Sequence, residues 1–403
     1  MEDLLGWLFL LSICLSIFIC TKNYPHIRNF LLTAFLLRTI CVLLDHYEIV
    51  TLPDSYGDSG KFESKALELS RDYGLLAVID FYKNGYLIST IISIFYSIFG
   101  ESKMMAQSIS VALGTASVYL VYQLSLMVWD YTSAKKAAWI TAFFPTLILY
   151  SSLILRESYV VFFLLVGLIG IAKFMRNKTI SSFLQILVSF YILKLLHGPA
   201  VIGGLIFFIY SILSSIKKML ININYLKANL SNLFFLILLL IPMTLFFIYD
   251  IKIPYLPSLF DFSTIISKSN MGMIDTASYP SWLSINSNYE LITKGIIKAF
   301  YFLYSPFIWD IRTPYHIFGL LDGMLYFILT IYLFKNWQVI WANPITRIFI
   351  LLFICYIVVY ALGVGNFGTG IRHRSKFVVI FIVLAAPKIH KFIFSTKEKL
   401  YKR

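Results

Sequence analysis

Apolar stretches of about 18 residues or more recur along the whole chain, and they constrain its fold more than any other feature. As a helix, each stretch is long enough to cross a hydrocarbon core of about 30 Å. Only 13% of the residues are charged, whereas soluble domains contain about a quarter. A transmembrane β-barrel would instead show short segments of alternating polarity. The sequence therefore predicts an all-α polytopic membrane protein.

The apolar pattern predicts eleven membrane spans in a single membrane domain that covers residues 1–403. The predicted spans are approximately 4–20, 29–44, 104–128, 137–153, 158–174, 179–195, 198–216, 230–249, 314–334, 345–364 and 375–394. The stretch Leu87–Phe99 is too short for an ordinary span and predicts an interfacial or re-entrant helix.

The lysines and arginines of the connecting segments predict the orientation of the chain. If the N-terminus is outside, the inside segments contain 18 basic residues and only two acidic ones, Asp130 and Glu398. Because basic loops stay in the cytoplasm, we expect an outside N-terminus and a cytoplasmic C-terminus. Two large loops, residues 45–103 and 250–313, then lie outside. The net charge of +14 is explained by the cytoplasmic loops, since no basic domain is present to bind nucleic acid.

The first outer loop is acidic and predicts an amphipathic helix. Residues 45–80 contain eight of the chain's 20 acidic residues. Apolar side chains recur at helical spacing at Phe62, Ala66, Leu69 and Tyr73, with charged residues between them. This pattern is typical of a helix that lies on a membrane surface.

We expect Asp58 or Ser59 to cap the N-terminus of this helix. In the second outer loop, Leu291–Tyr304 predicts another helix at the membrane surface.

Ionisable residues collect at the predicted outer ends of the spans, where they are candidates for function. These candidates are Asp54 and Asp58, Arg156 and Glu157, Lys194 and His197, and Arg372, His373 and Arg374. Ionisable groups at membrane depth are costly unless they are paired or face an aqueous cavity.

The three basic residues Arg372, His373 and Arg374 follow a short glycine-rich segment, which predicts a turn. Their predicted outer location is unusual for basic residues, and a phosphate or pyrophosphate would compensate their charge. The alternative is that they reach lipid headgroups or pair with acids of the first loop. For Arg156 the sequence leaves two roles: an internal salt bridge with Glu157 or a contact with the substrate.

Asp54 and Asp58 lie where a general base would be needed to activate a hydroxyl group. The alternative for both is a structural role in turns and helix capping. For His197 the sequence favours neither a structural nor a catalytic role over the other. Two carboxylates alone do not make a metal site, and the four cysteines lack metal-ligand spacing. We therefore predict no cofactor and assign no metal ligand; a divalent metal stays open as an alternative that no residue pattern supports.

Three segments resemble GT-C-fold membrane glycosyltransferases. LLRTICVLLDHYEIVTLPDSYGDSGKFESKALELSRDYG is similar to their first external loop, and FYKNGYLISTIISIFYSIFGES to their juxtamembrane helix. AAWITAFFPTLILYSSLILRES resembles their proline-containing span that ends in an acid. The C-terminal GNFGTGIRHRSKF looks like a motif of proteins from bacterial surface-polysaccharide loci.

The resemblance implies a GT-C-like helical bundle and a polyprenyl-phosphate- or pyrophosphate-linked sugar donor, used at the periplasmic face of a bacterial inner membrane. Asp54 or Asp58 corresponds to the loop acid proposed as the base, and Glu157 to the acid that ends the proline-containing span. An additional N-terminal span departs from the family pattern. The chain also lacks the large soluble C-terminal domain of oligosaccharyltransferases, so we do not expect protein glycosylation.

The sequence thus predicts a glycosyltransferase of surface-polysaccharide assembly. Its partners would be the lipid-linked donor, a glycan acceptor, membrane lipids and other assembly proteins. Arg372, His373 and Arg374, with Lys194 and Arg156, would hold the leaving phosphate. One alternative is a repeat-unit polymerase of O-antigen or capsule. Another is a flippase for lipid-linked glycans, which would need polar residues in both leaflets.

Overall fold

The computed structural model describes residues 2–79, 86–221, 262–270, 276–313 and 316–389. Within these ranges the chain is helical, and the strand-like pairing is limited to one bridge between Ser278 and Asn366. Seven of the described helices are long and apolar enough to cross a membrane. The chain is therefore an all-α membrane protein.

Seventeen α-helices are numbered here in chain order over the described residues. They are α1 (Glu2–Cys20), α2 (Pro25–His46), α3 (Gly60–Tyr73), α4 (Leu87–Phe99), α5 (Lys103–Val128), α6 (Tyr131–Phe143), α7 (Pro145–Tyr150), α8 (Arg156–Asn177), α9 (Ile180–Leu196), α10 (Ile202–Ile221), α11 (Phe262–Asn270), α12 (Asn288–Tyr304), α13 (His316–Lys335), α14 (Trp337–Ala342), α15 (Pro344–Leu362), α16 (Phe367–Ser375) and α17 (Val378–Ala385).

The seven apolar helices coincide with seven of the predicted spans. They are Asp3–Cys20, Pro25–His46, Lys103–Val128, Arg156–Asn177, Gly198–Lys217, His316–Lys335 and Pro344–Leu362. The span predicted at 179–195 corresponds to the shorter apolar helix α9. The span predicted at 230–249 lies outside the described residues.

Two predicted spans are not continuous helices. In the first, 137–153, α6 ends at Phe143, and Phe144 is extended with φ −68° and ψ 117° before Pro145 begins α7. Proline has no N–H to donate and forces the residue before it out of the helical region. In the second, 375–394, α16 ends at Ser375, and a separate apolar helix covers Val378–Lys388, with α17 followed by a 3-10 turn at Ala386–Lys388. Residues 390–394 of this predicted span lie outside the described residues.

The predicted amphipathic helix of the first loop is confirmed as α3. Its apolar residues Phe62, Ala66 and Leu69 are buried, and the helix packs against α4. Ser89 of α4 donates a hydrogen bond to the Phe62 carbonyl at 2.8 Å. The predicted capping is wrong, because α3 receives no side-chain hydrogen bond at its N-terminus. The Ser59 hydroxyl instead accepts from the Ile154 amide at 3.1 Å.

The interior of the bundle is apolar. Helix α8 packs between α5 and α9, and every side chain of α17 is buried. A helix that is hydrophobic all round is a core helix. Helix α17 therefore lies in the core.

A fully buried ion pair fixes α16 against its neighbours. Arg374 Nη2 lies 2.7 Å from Asp322 Oδ2, and neither side chain is exposed. Thr146 donates to the second oxygen of Asp322 at 2.8 Å. Arg374 also donates to the carbonyls of Leu303 and Ser305 at the end of α12. The ion pair and its hydrogen bonds thus join α7, α12, α13 and α16.

We expect Asp322→Asn to lower the free energy of unfolding by about 3–5 kcal/mol, because it leaves Arg374 as a buried cation without a counter-charge. The melting temperature of the detergent-solubilised protein, followed by circular dichroism, measures this loss. The double change Asp322→Leu with Arg374→Met should melt above Arg374→Met alone, because it leaves no unpaired charge. A double variant that melts below Arg374→Met would contradict the ion-pair account.

Candidate functional site

A cavity of about 810 Å³ opens where several helix ends meet. Its wall combines the loop before α3, the start of α8, the loop after α9, part of α11, the end of α15 and one face of α16. A cavity of this size falls within the usual range for small-molecule sites. Seven of the nine residues singled out from the sequence line it: Asp54, Asp58, Arg156, Glu157, His197, Arg372 and His373.

The remaining two, Arg374 and Lys194, do not line the cavity. The predicted glycine-rich turn is in fact helix α16, capped by the Asn366 side chain. With 3.6 residues per turn, Arg374 points away from the face that carries Arg372, and it meets Asp322 instead. From their spacing in the sequence, Lys194 and His197 would lie on one face of a continuous helix. The helix α9 ends at Leu196, however, and His197 has an extended backbone, so the two residues do not share a helix face.

Arg372 is neutralised by two carboxylates. Its Nε lies 2.8 Å from Glu157 Oε1, and its Nη1 donates to Asp58 Oδ2. Lys376, the residue that follows the end of α16, places its Nζ 3.3 Å from the same Glu157 oxygen. The sequence left two roles for Arg372, binding a phosphate or pairing with an acid of the first loop. In the structure Arg372 is paired with an acid of that loop, Asp58.

Arg156 carries a positive charge with no ion-pair partner among the described residues. Its Nε is buried and forms no hydrogen bond there. The guanidinium carbon lies 5.6 Å from the centre of the Phe62 ring, a cation–π contact. The internal salt bridge with Glu157 does not form. An anion in the cavity could therefore pair with Arg156 without displacing a carboxylate.

Asp54 is the carboxylate of this cavity whose oxygens accept no hydrogen bond from the described residues. Its backbone is left-handed, with φ 70°. The side chain is exposed to the open cavity and at the same time surrounded by the cavity walls. This enclosure raises the pKa of Asp54. Arg372 partly offsets the rise, while Asp58 and Glu157 add to it.

The pKa of Asp58 is shifted in the opposite direction from that of Asp54. Burial raises the pKa of Asp58, but the hydrogen bond and the charge of Arg372, together with Lys61, more than offset this, and the net pKa is lowered. Two carboxylates whose environments move their pKa values apart are suited to different tasks. Asp58 stays ionised as a partner of Arg372, and Asp54 can accept a proton.

His197 and His373 form a stack of rings with Tyr360. The imidazole centres are 5.3 Å apart at an interplanar angle of 22°, and Tyr360 lies 5.1 Å from His373. Burial, and then the nearby cations, beginning with Lys376, hold the pKa of both histidines well below the usual range. Both rings are therefore neutral. His197 Nε2 is buried and has no hydrogen-bond partner among the described residues.

Several residues of the cavity wall were not predicted from the sequence. Lys376 follows Arg372 by four residues, and this same-face spacing was a usable signal. Tyr360 and Lys268 carried no such signal. Lys268 belongs to α11, which is held by the buried Lys298 of α12 through the carbonyl and hydroxyl of Ser269.

Comparisons of the chain with models of protein families, with curated proteins and with solved structures find no match. In the described part of the chain, no group of three or more His, Cys, Asp and Glu residues could hold a metal ion. The reactions that the cavity could support must therefore be inferred from the residues that line it and from their contacts.

Lys298 should make the stability of the protein depend on pH. Burial lowers its pKa to about 8, below the unfolded value of about 10.4. The unfolded chain therefore binds more protons between pH 8 and 10, and stability should rise with pH across this window by at most about 1.4 kcal/mol per unit. Melting temperatures at pH 7 and pH 10 measure the rise, which Lys298→Met should lack.

The matched control is Lys294→Met, which changes a half-buried lysine one turn earlier on α12. It should keep the pH dependence of the wild type. A pH dependence in Lys298→Met equal to that of the wild type would rule out titration of Lys298 as its source.

Proposed function

We propose that the chain is an integral membrane glycosyltransferase of the GT-C type. It uses a sugar donor linked to a polyprenyl phosphate or pyrophosphate and acts at the periplasmic face of a bacterial inner membrane, in surface-polysaccharide assembly. One observation carries the proposal: a single cavity is lined by the carboxylate of Asp54 and the guanidinium of Arg156, and neither forms an ion pair with any of the described residues.

These two groups match the two demands of the reaction. The acceptor hydroxyl oxygen attacks the anomeric carbon of the donor, and the bond from that carbon to the phosphate oxygen breaks. The hydroxyl proton passes to Asp54, which acts as the general base. The electron pair leaves with the polyprenyl phosphate or pyrophosphate, whose charge Arg156 stabilises.

Asp54 is favoured over Asp58 as the base because of their contacts. Asp58 is held by Arg372 and Lys61, and taking up a proton would break that pairing. Asp54 has no such partner among the described residues, and its raised pKa makes it the better proton acceptor of the two.

In this mechanism Arg372, Lys376 and Glu157 form the rigid support of the cavity wall. Arg372 and Lys376 can also contribute positive potential toward the leaving phosphate, with Arg156 as the direct contact. His197 lines the cavity, but its Nε2 is buried and has no hydrogen-bond partner among the described residues. A turn of the ring toward the cavity would let this nitrogen hydrogen-bond a hydroxyl of the donor or acceptor. His373 supports His197 by stacking.

The proposed topology keeps eleven spans, with the N-terminus outside and the C-terminus in the cytoplasm. The charge asymmetry of the connecting segments supports this orientation. The wall of the large cavity is built from helix ends, which supports a site at one face of the membrane rather than a transport path. A much smaller space inside the bundle, beside Glu157, is lined by Arg38, Thr141 and Ser151 among others.

The proposal is tested with the purified protein in lipid nanodiscs. The donors are undecaprenyl-phosphate-linked hexoses and undecaprenyl-pyrophosphate-linked oligosaccharide repeat units, and products are identified by mass spectrometry. Transfer of one sugar supports the monoglycosyl reaction. Elongation of repeat units supports the polymerase alternative. Absence of transfer with the whole panel would refute the proposal.

Asp54→Asn should lower turnover by about 100-fold or more, because the variant cannot accept the acceptor proton. Asparagine tolerates the left-handed backbone of this position, so the loop should keep its shape. The wild-type rate should fall as the pH drops through the pKa of Asp54, which lies above the ordinary carboxyl value. Asp72→Asn, an exposed acid on α3, is the control and should behave like the wild type. Full activity of Asp54→Asn would remove Asp54 as the base.

Arg156→Gln should lower kcat/KM by about 100-fold to 1,000-fold, since the leaving phosphate loses its charged partner. Arg156→Lys keeps the charge but not the fork of donors, so its activity should fall between those of Arg156→Gln and the wild type. Arg71→Gln, an exposed arginine paired with Glu101, is the matched control. If Arg156→Gln stays active while a folded Arg372→Gln variant does not, Arg372 is the phosphate ligand instead.

A further inference from the structure

Asp45 is a buried carboxylate that the proposed mechanism does not use. It lies near the C-terminal end of α2, and only 4% of it is exposed. One oxygen, Oδ1, accepts a hydrogen bond from the backbone amide of Leu52 at 3.1 Å. The other, Oδ2, accepts from the hydroxyl of Ser55 at 2.9 Å. These two contacts lie on either side of Pro53 and Asp54.

The same carboxylate is anchored to α5. Gln107 Nε2, itself fully buried, donates to Asp45 Oδ2 at 3.1 Å. Lys103 Nζ lies 3.7 Å from that oxygen. The loop before α3 is therefore fixed to two long helices of the bundle through one side chain. Hydrogen bonds to a carboxylate are stronger than those between neutral groups.

The backbone of Asp54 needs such support. A left-handed conformation is unfavourable for residues other than glycine, and it persists only where the surroundings enforce it. The contacts to Leu52 and Ser55 restrain the chain on both sides of Asp54, and the Ser59 amide donates to the Asp54 carbonyl at 3.2 Å. Ser59 is in turn bound to Ile154, two residues before Arg156.

We propose that Asp45 is the positioning residue of the site: its carboxylate clamps residues 52 and 55 and thereby holds Asp54 at the cavity wall. What Asp54 does there rests on the proposed function, whereas the clamp itself does not. An amide at position 45 replaces only one of the two acceptor oxygens, so its NH₂ group meets either the Leu52 amide or the side-chain donors of Ser55 and Gln107.

The clamp is measured without any assay of activity. Hydrogen–deuterium exchange of the nanodisc-embedded protein reports on the amides of residues 52–59. In Asp45→Asn these amides should exchange about 10-fold to 100-fold faster than in the wild type, since hydrogen bonds to a charged acceptor are lost. Ser55→Ala, which removes one of the two loop contacts, should give a smaller increase. Unchanged exchange in Asp45→Asn would overturn the proposal.

The matched control is Thr39→Val on the same helix. Thr39 is buried like Asp45, but its hydroxyl has no hydrogen-bond partner among the described residues. The change should leave exchange of residues 52–59 as it is in the wild type. An equal increase in Thr39→Val would show that the loop responds to any change in α2, which would also overturn the clamp.

The positioning role of Asp45 is then tested by measuring the kinetics of the variants with the same panel of undecaprenyl-linked donors. Asp45→Asn should lower kcat about 10-fold to 100-fold with little change in KM, because a small displacement of the base affects the chemical step. The acid limb of its pH profile should move to lower pH, since a released Asp54 loses the enclosure that raises its pKa. A variant that merely unfolds would lose active protein without shifting this limb.

The outcomes separate the two proposals. If exchange rises in Asp45→Asn but its kcat and pH profile stay those of the wild type, while Asp54→Asn is inactive, the positioning role fails and the proposed base survives. If Asp54→Asn is fully active, the proposed base fails. The positioning role then falls with it, even if exchange rises and the clamp itself is real.

Discussion

The buried pair of Arg374 and Asp322 is the interaction on which the site depends, because it fixes the rotation of α16 about its own axis. Arg374 is bound on one side of the helix to Asp322 and to carbonyls at the end of α12. Arg372 and Lys376 must then face the opposite way, toward Glu157. A pair removed from water in this way stabilises one arrangement of helices, because any rotation would leave a charge buried without a partner.

The charged residues at the cavity wall differ in whether they form ion pairs with other described residues. Arg372 and Lys376 are paired with Glu157, and Arg372 also with Asp58. Asp54 and Arg156 have no such partners among the described residues. A bound ligand changes the energy of unpaired groups most, since paired charges already have their counter-charges. The proposed base and phosphate contact are therefore residues whose charges a bound ligand can pair.

The fold was predictable where the physical signal is local. Long apolar runs predicted the seven helices that are long and apolar enough to cross a membrane, and the spacing of Phe62, Ala66 and Leu69 predicted the buried face of α3. The break at Pro145 was also readable, but the apolar residues around it suggested one continuous span. In the candidate site, same-face spacing could have found Lys376, whereas nothing in the sequence indicated that Lys298 holds α11 through Ser269.

By itself the sequence determined that the chain is an all-α membrane protein and which polar residues interrupt its apolar segments, since both follow from composition and periodicity along the chain. Only the tertiary structure decided which of those residues pair. Asp58 and Arg372 are separated by more than 300 positions, and Arg372 and Arg374, only two positions apart, face opposite sides of α16. Pairing depends on distances across the bundle and on helix rotation, and packing sets both.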